Sequence, residues 1–166
     1  MSYENNSSFT TKRSPDRVRR IQGTVLVDWG SKDLGSGPLR DRIAEVGVPF
    51  FRTLVKWHEP AVIVLPTPTQ VSTTARNRFL RAIRYESARY AHAVEGFGRH
   101  QVQETFKFAL RSARPSKHPI MQVLVKWFPE LTPSLPKPRR LWESQDYWAP
   151  MFDAVSLAVT YLHHNE

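Results

Sequence analysis

The sequence predicts an α/β domain, a mixed sheet of about three strands with helices on both faces, and three observations lead there. The first is the run Ala61-Val62-Ile63-Val64-Leu65, held between Pro60 and Pro66. A short, uninterrupted, β-branched run bounded by breakers reads as a central strand buried on both faces. The second is the spacing of Leu39, Ile43, Val46, Phe50, Leu54 and Trp57, which recur at steps of three and four along one helical face. The third is the alternation of helical stretches with two more strand-like runs, one ending in Val25-Leu26-Val27 and one over His92-Ala93-Val94-Glu95-Gly96-Phe97.

Length and charge narrow the class of function. The 166 residues suffice for one domain with a core of its own. Lys and Arg number 24 against 15 Asp and Glu, a net charge of +9 that favours a polyanionic partner, above all nucleic acid. There is no cysteine, which excludes disulfides and thiolate metal sites. No run approaches the roughly 18 apolar residues of a membrane span, and the polar N-terminus is unlike a signal peptide. A cytoplasmic protein with no membrane partner is the expectation.

Residues 1–20 are rich in Ser, Asn and Thr and then basic, with Lys12, Arg13, Arg17, Arg19 and Arg20. They are expected to form a disordered basic arm ahead of a domain over 21–166. Residues 21–28 form the first strand. The glycines that follow, Gly30, Gly35 and Gly37, lack the spacing and the Lys-Ser/Thr pair of a phosphate loop. In the next helix Gly47 and Pro49 predict two pieces, the second starting at Pro49 and ending near His58. That helix joins the first strand to the central one as a β-α-β crossover. Ligands of open α/β sheets gather at the carboxyl ends of the strands. Here that end is Pro66-Thr67-Pro68-Thr69, without an acid or a base.

A helix capped by Ser72 or Thr73 and reaching about Tyr90 carries Arg76, Arg78, Arg81, Arg84 and Arg89. Arg78, Arg81 and Arg84 fall on one stripe, with Phe79, Leu80 and Ile83 toward the interior. The stripe reads as a phosphate-tracking surface, or as an ordinary solvated face rich in a good helix former. After the third strand, helices are expected from Gly98 through Leu110 and from Pro115-Ser116-Lys117 to Pro129. Residues 132–140, with Lys137, Arg139 and Arg140 among prolines, read as a semi-rigid basic loop rather than a packed element. A final helix over 151–163 buries Phe152, Val155, Val159 and Leu162. The six histidines lack metal-ligand spacing, and nothing resembles a nucleophile elbow.

Three segments together resemble a known family. They are Val25-Leu26-Val27-Asp28-Trp29-Gly30, Lys117-His118-Pro119-Ile120 continuing to Trp127-Phe128-Pro129-Glu130-Leu131, and Leu135-Pro136-Lys137-Pro138-Arg139-Arg140-Leu141-Trp142-Glu143-Ser144-Gln145-Asp146-Tyr147 running into Phe152-Asp153-Ala154-Val155. They look like bacterial RuvC-like proteins of the RNase H-like superfamily, the fold of Holliday-junction resolvases, over residues 23–162. The resemblance implies a phosphodiester-cleaving site in which acids on a first strand, a central strand and the final helix hold Mg²⁺. Carried over residue by residue, Asp153 takes the place of the final-helix acid, Asp146 stands ahead of it as a supporting acid, and Asp28 is the remaining candidate. Asp28 and Asp153 are the implied metal ligands.

The chain departs from that pattern twice. Pro66 stands where the family has a central-strand Glu, and no first-strand Asp is found in its expected place. Either the domain is truncated at its start, or the strand over 24–28 lies beside the central strand in the first strand's slot, bringing Asp28 near Asp153. The expected function is a RuvC-like nucleic-acid-binding protein with weak or no nuclease activity, whose partner is DNA. Nucleic acid would be held by Arg76, Arg78, Arg81, Arg84, Lys117, Lys137, Arg139 and Arg140. The alternatives are a Mg²⁺-dependent, structure-selective endonuclease using Asp28, Asp146 and Asp153, and a non-functional remnant of one. A homodimer is left open.

Overall fold

The structure is a computed structural model that describes residues 20–21, 24–26, 28–30, 38–67, 75–138 and 146–165. Two short strands, β1 (Arg20–Ile21) and β2 (Thr24–Val25), form an antiparallel hairpin with Ile21 opposite Thr24. Arg20, expected in a disordered arm, is therefore part of a strand. Residues 1–19, Ser72, Thr73, Arg139 and Arg140 lie outside the described residues.

Helix α1 (Leu39–Arg42) passes into a π-helical turn over Ile43–Gly47 and on into α2 (Val48–His58). The chain does not break into two pieces, because Gly47 keeps right-handed helical dihedrals and the Val48 amide reaches back to the Ile43 carbonyl. That wide turn admits Pro49, which has no N–H to give and would crowd the carbonyl four residues earlier in a regular helix. Helix α2 ends at Glu59, whose φ of 43° places it in the left-handed region.

Strand β3 (Val62–Pro66), helix α3 (Ala75–Arg89) and strand β4 (Ala93–Phe97) make the β-α-β crossover. The two strands are parallel and paired from Val62 against Ala93 to Pro66 against Phe97. Among the described residues β3 pairs only with β4, and β2 only with β1. The expected crossover from the first strand, and the first strand's place beside the central one, are thus corrected. With one neighbour in place of two, β3 is half-buried at all five positions rather than buried on both faces.

Successive strand residues point to opposite faces. A side chain on Gly96 would meet Arg84 of α3, while the Phe97 ring stacks on His164 at 5.4 Å between centroids. His164 closes the final helix, α6 (Ala149–His164). Helix α3 therefore covers one face of the strand pair and α6 the other.

The core lies to one side of the strands, among α4 (Arg99–Leu110), α5 (Lys117–Trp127), a 3-10 helix over Pro129–Ser134 and α6. Phe106, Leu124, Leu131 and Phe152 are sealed from solvent there, and Trp127 stacks on Phe106 at 5.5 Å. The stretch expected to be a loose basic loop is in part packed: its first three residues close the 3-10 helix, Pro136 is buried, and the Pro136 carbonyl lies 3.1 Å from His118 Nε2. Proline at 129 sits in the first turn of its helix, where a missing N–H costs nothing.

Helix α3 buries Leu80, Ile83, Glu86 and Ser87, with Phe79 half-buried. The Arg52 Nε donates to Glu86 Oε2 at 2.7 Å, tying α2 to α3, and Arg89 Nη1 adds a contact at 3.5 Å. The hydrogen bond from Arg52 is the main reason the Glu86 carboxyl is held below its ordinary value of 4.5.

Candidate functional site

The carboxyl ends of β3 and β4 open into a cleft of about 510 Å³. Its floor is apolar, from Phe97, Ile120, Met121 and Phe152, and its polar groups come from the end of β3 and from α3, where Asn77 lies, α4, α5 and α6. Thr67 follows β3, and its amide donates to the Phe97 carbonyl at 3.0 Å, extending the strand pairing by one bond. Arg99 opens α4, Lys117 opens α5, and Asp153 projects from α6. The start of α4 is fixed by a Gly98 amide that donates to Gln101 Oε1 at 2.8 Å.

Lys117 and Asp153 meet in this cleft, with Lys117 Nζ 2.8 Å from Asp153 Oδ2. Each side chain keeps about two-fifths of its surface exposed, so the pair is reachable from solvent. The Ser156 hydroxyl donates to the Asp153 backbone carbonyl at 2.7 Å one turn on. Met151, Phe152 and Val155 anchor this part of α6 in the core, which sets where the carboxylate points.

The other acids named from sequence lie elsewhere. Asp28 does not line the cleft; it pairs with His58 Nε2 at 3.3 Å, beside the end of α2. Asp146 precedes α6, and its Oδ1 accepts the Trp148 amide at 2.9 Å, the arrangement of a turn residue leading into a helix whose first turn holds Pro150. Asp146 is therefore ahead of the helix rather than on it.

The basic residues divide similarly. Arg78, Arg81 and Lys137 are exposed, whereas Arg84 is half-buried and turned toward β4. Its Nη2 stands 3.0 Å from where a Cβ on Gly96 would be, and Thr67 Oγ1 stands 3.5 Å from the same point. The stripe read from sequence thus keeps its first two members on the surface and sends the third to the strand ends. Nothing is described of the Arg76 side chain. Arg99 was not anticipated; its position directly after the third strand and its glycine is the signal that places it at the cleft.

A Mg²⁺ pair needs several clustered oxygen ligands. The described residues of the cleft supply a single carboxylate, Asp153, and it already holds an ammonium. No group of three or more His, Asp or Glu among the described residues is placed to hold a metal ion. Pro66 ends β3 without a side-chain donor. The donor set of the described residues does not fit a two-metal site.

No protein-family model and no curated protein matches the sequence. Among solved structures the chain is similar to the RuvC structure of Thermus thermophilus, with a TM-score of 0.53 and 15% identity, over 87% of this chain and 77% of that one. At that identity the likeness concerns the backbone path. The chain has a RuvC-like fold.

Proposed function

We propose that this protein binds nucleic acid, DNA in particular, through a RuvC-like domain whose acidic site no longer supports two-metal hydrolysis. The observation that carries the reading is the Lys117–Asp153 pair, in which the single carboxylate among the described residues of the cleft already holds a cation of the chain's own. The surface supports it: Arg78, Arg81, Arg99, Lys117 and Lys137 are all exposed on a chain of net charge +9. Such a surface gains affinity by releasing counterions from phosphates.

The test is binding of a four-way DNA junction and a duplex of equal length, followed by anisotropy across a salt series, beside a cleavage assay with Mg²⁺ and Mn²⁺. Affinity should fall steeply with salt, and replacing Arg78 and Arg81 by Gln should reduce the slope by about two. Metal-dependent cleavage abolished by Asp153→Asn would establish the endonuclease instead. Absence of binding to either DNA would leave the remnant.

A further inference from the structure

We propose that Lys117 stands in for the divalent cation: tethered to Asp153, its ammonium meets a nucleic-acid phosphodiester in the cleft, so the polyanion is gripped there without metal. The inference rests on the nucleic-acid-binding reading above and assigns the cleft a part in it.

The sign of the cleft comes first. Among the described residues its charged lining is two cations, Arg99 and Lys117, and one anion, Asp153. A site built for Mg²⁺ must be strongly negative before the metal arrives, because the ion surrenders hydration only to clustered oxygens. A cleft with an excess of positive charge repels the ion and attracts a phosphate.

Donor counting comes next. An ammonium has three N–H groups, and Asp153 Oδ2 takes one. Two remain to be offered to phosphate oxygens, from a side chain that is partly exposed. The carboxylate keeps the flexible lysine from swinging into solvent, so less entropy is lost on binding. The same carboxylate, facing a phosphate with no cation between them, would repel it.

Arg84 adds a second, independent observation. Its Nε is buried with no hydrogen-bond partner, and it forms no ion pair among the described residues. Its guanidinium occupies the space that Gly96 leaves open, beside Thr67 of the cleft. Arg84 is half-buried, and its charge adds to the positive potential at the strand ends.

The experiment compares junction binding by the wild type, Lys117→Ala, Lys117→Arg and Lys117→Ala/Asp153→Asn, each in EDTA and in Mg²⁺, with thermal melts as folding controls. Wild-type binding should be full in EDTA and should gain nothing from Mg²⁺, which as a counterion can only compete for the phosphates. Lys117→Ala should bind about tenfold more weakly in EDTA, and Mg²⁺ should restore much of that loss by bridging Asp153 and the phosphate. The double variant should show no restoration, and Lys117→Arg should retain binding in EDTA. Wild-type binding that needs Mg²⁺, or a Lys117→Ala loss that Mg²⁺ does not repair, overturns the role of Lys117 while leaving the nucleic-acid reading intact. No binding by the wild type in either buffer overturns both.

Discussion

The two halves of the molecule are held by different forces. Around α4, α5, the 3-10 helix and α6 the chain buries aromatic and aliphatic side chains completely, Phe106, Leu124 and Leu131 among them. Around β3 and α2 it buries little. All of β3 is half-buried, α2 has no fully buried residue, and Trp57 leaves 62% of its surface exposed. Beside a few buried aliphatics, Ile43, Leu80 and Ile83, that half has a polar tie, the Arg52–Glu86–Arg89 group between α2 and α3. The difference teaches that the sheet, although central in the sequence, is the lightly buried partner, and that the helices supply most of the apolar burial.

Substitutions should expose this asymmetry. The largest effect is expected for Leu124→Ala, which empties a fully enclosed site and should cost roughly 3–5 kcal/mol, read by denaturant unfolding. Glu86→Ala comes next: it strips two arginines of their partner at a buried carboxylate and should lower the melting temperature by roughly 5 °C. Val64→Ala, at the middle of the half-buried strand, should cost only about 1 kcal/mol. A loss there equal to that of Leu124→Ala would erase the distinction between the halves. The smallest effect is a gain. Ala91 links α3 to β4 at a φ of 55°, so Ala91→Gly should stabilise by about 0.5 kcal/mol.

Acid should act on the polar tie first. Because Glu86 is held below 4.5 in the folded protein, its contribution is complete above pH 4.5 and is lost as the pH falls through the lower folded value. Stability measured between pH 6 and pH 3 should therefore decline, and Glu86→Gln should flatten the decline. Glu104 is also held below 4.5, chiefly by the hydrogen bond from Lys107, but that pair is exposed on one helix. Glu104→Gln should change the profile little.

The helical half was legible from sequence because its signals are local. Lys117 after Pro115-Ser116, the apolar spacing to Trp127 and the prolines at 129 and 150 mark helix ends to within a residue or two. Strand β3 was legible as a strand, since Pro60 and Pro66 bracket it, but its burial was not. A β-branched run reads the same with one neighbour as with two, and the number of neighbours is set by distant chain. The site shows the same limit. Lys117 and Asp153 were each named, one as a phosphate contact and one as a metal ligand, and only the packing of α5 against α6 brings them within 2.8 Å. Arg84 shows the converse, a residue whose helical spacing matched a surface stripe while the absence of a side chain at Gly96 drew it inward.

Helix α6 belongs to both halves at once. Met151, Phe152 and Val155 wedge it into the oily interior while Asp153, on the same turn, faces the cleft. A polyanion seated there would clasp the molecule's main beam rather than a peripheral loop. Occupancy should then slow amide exchange along the whole of that beam and raise the unfolding midpoint with ligand concentration. Recognition and endurance would be measured on a single helix.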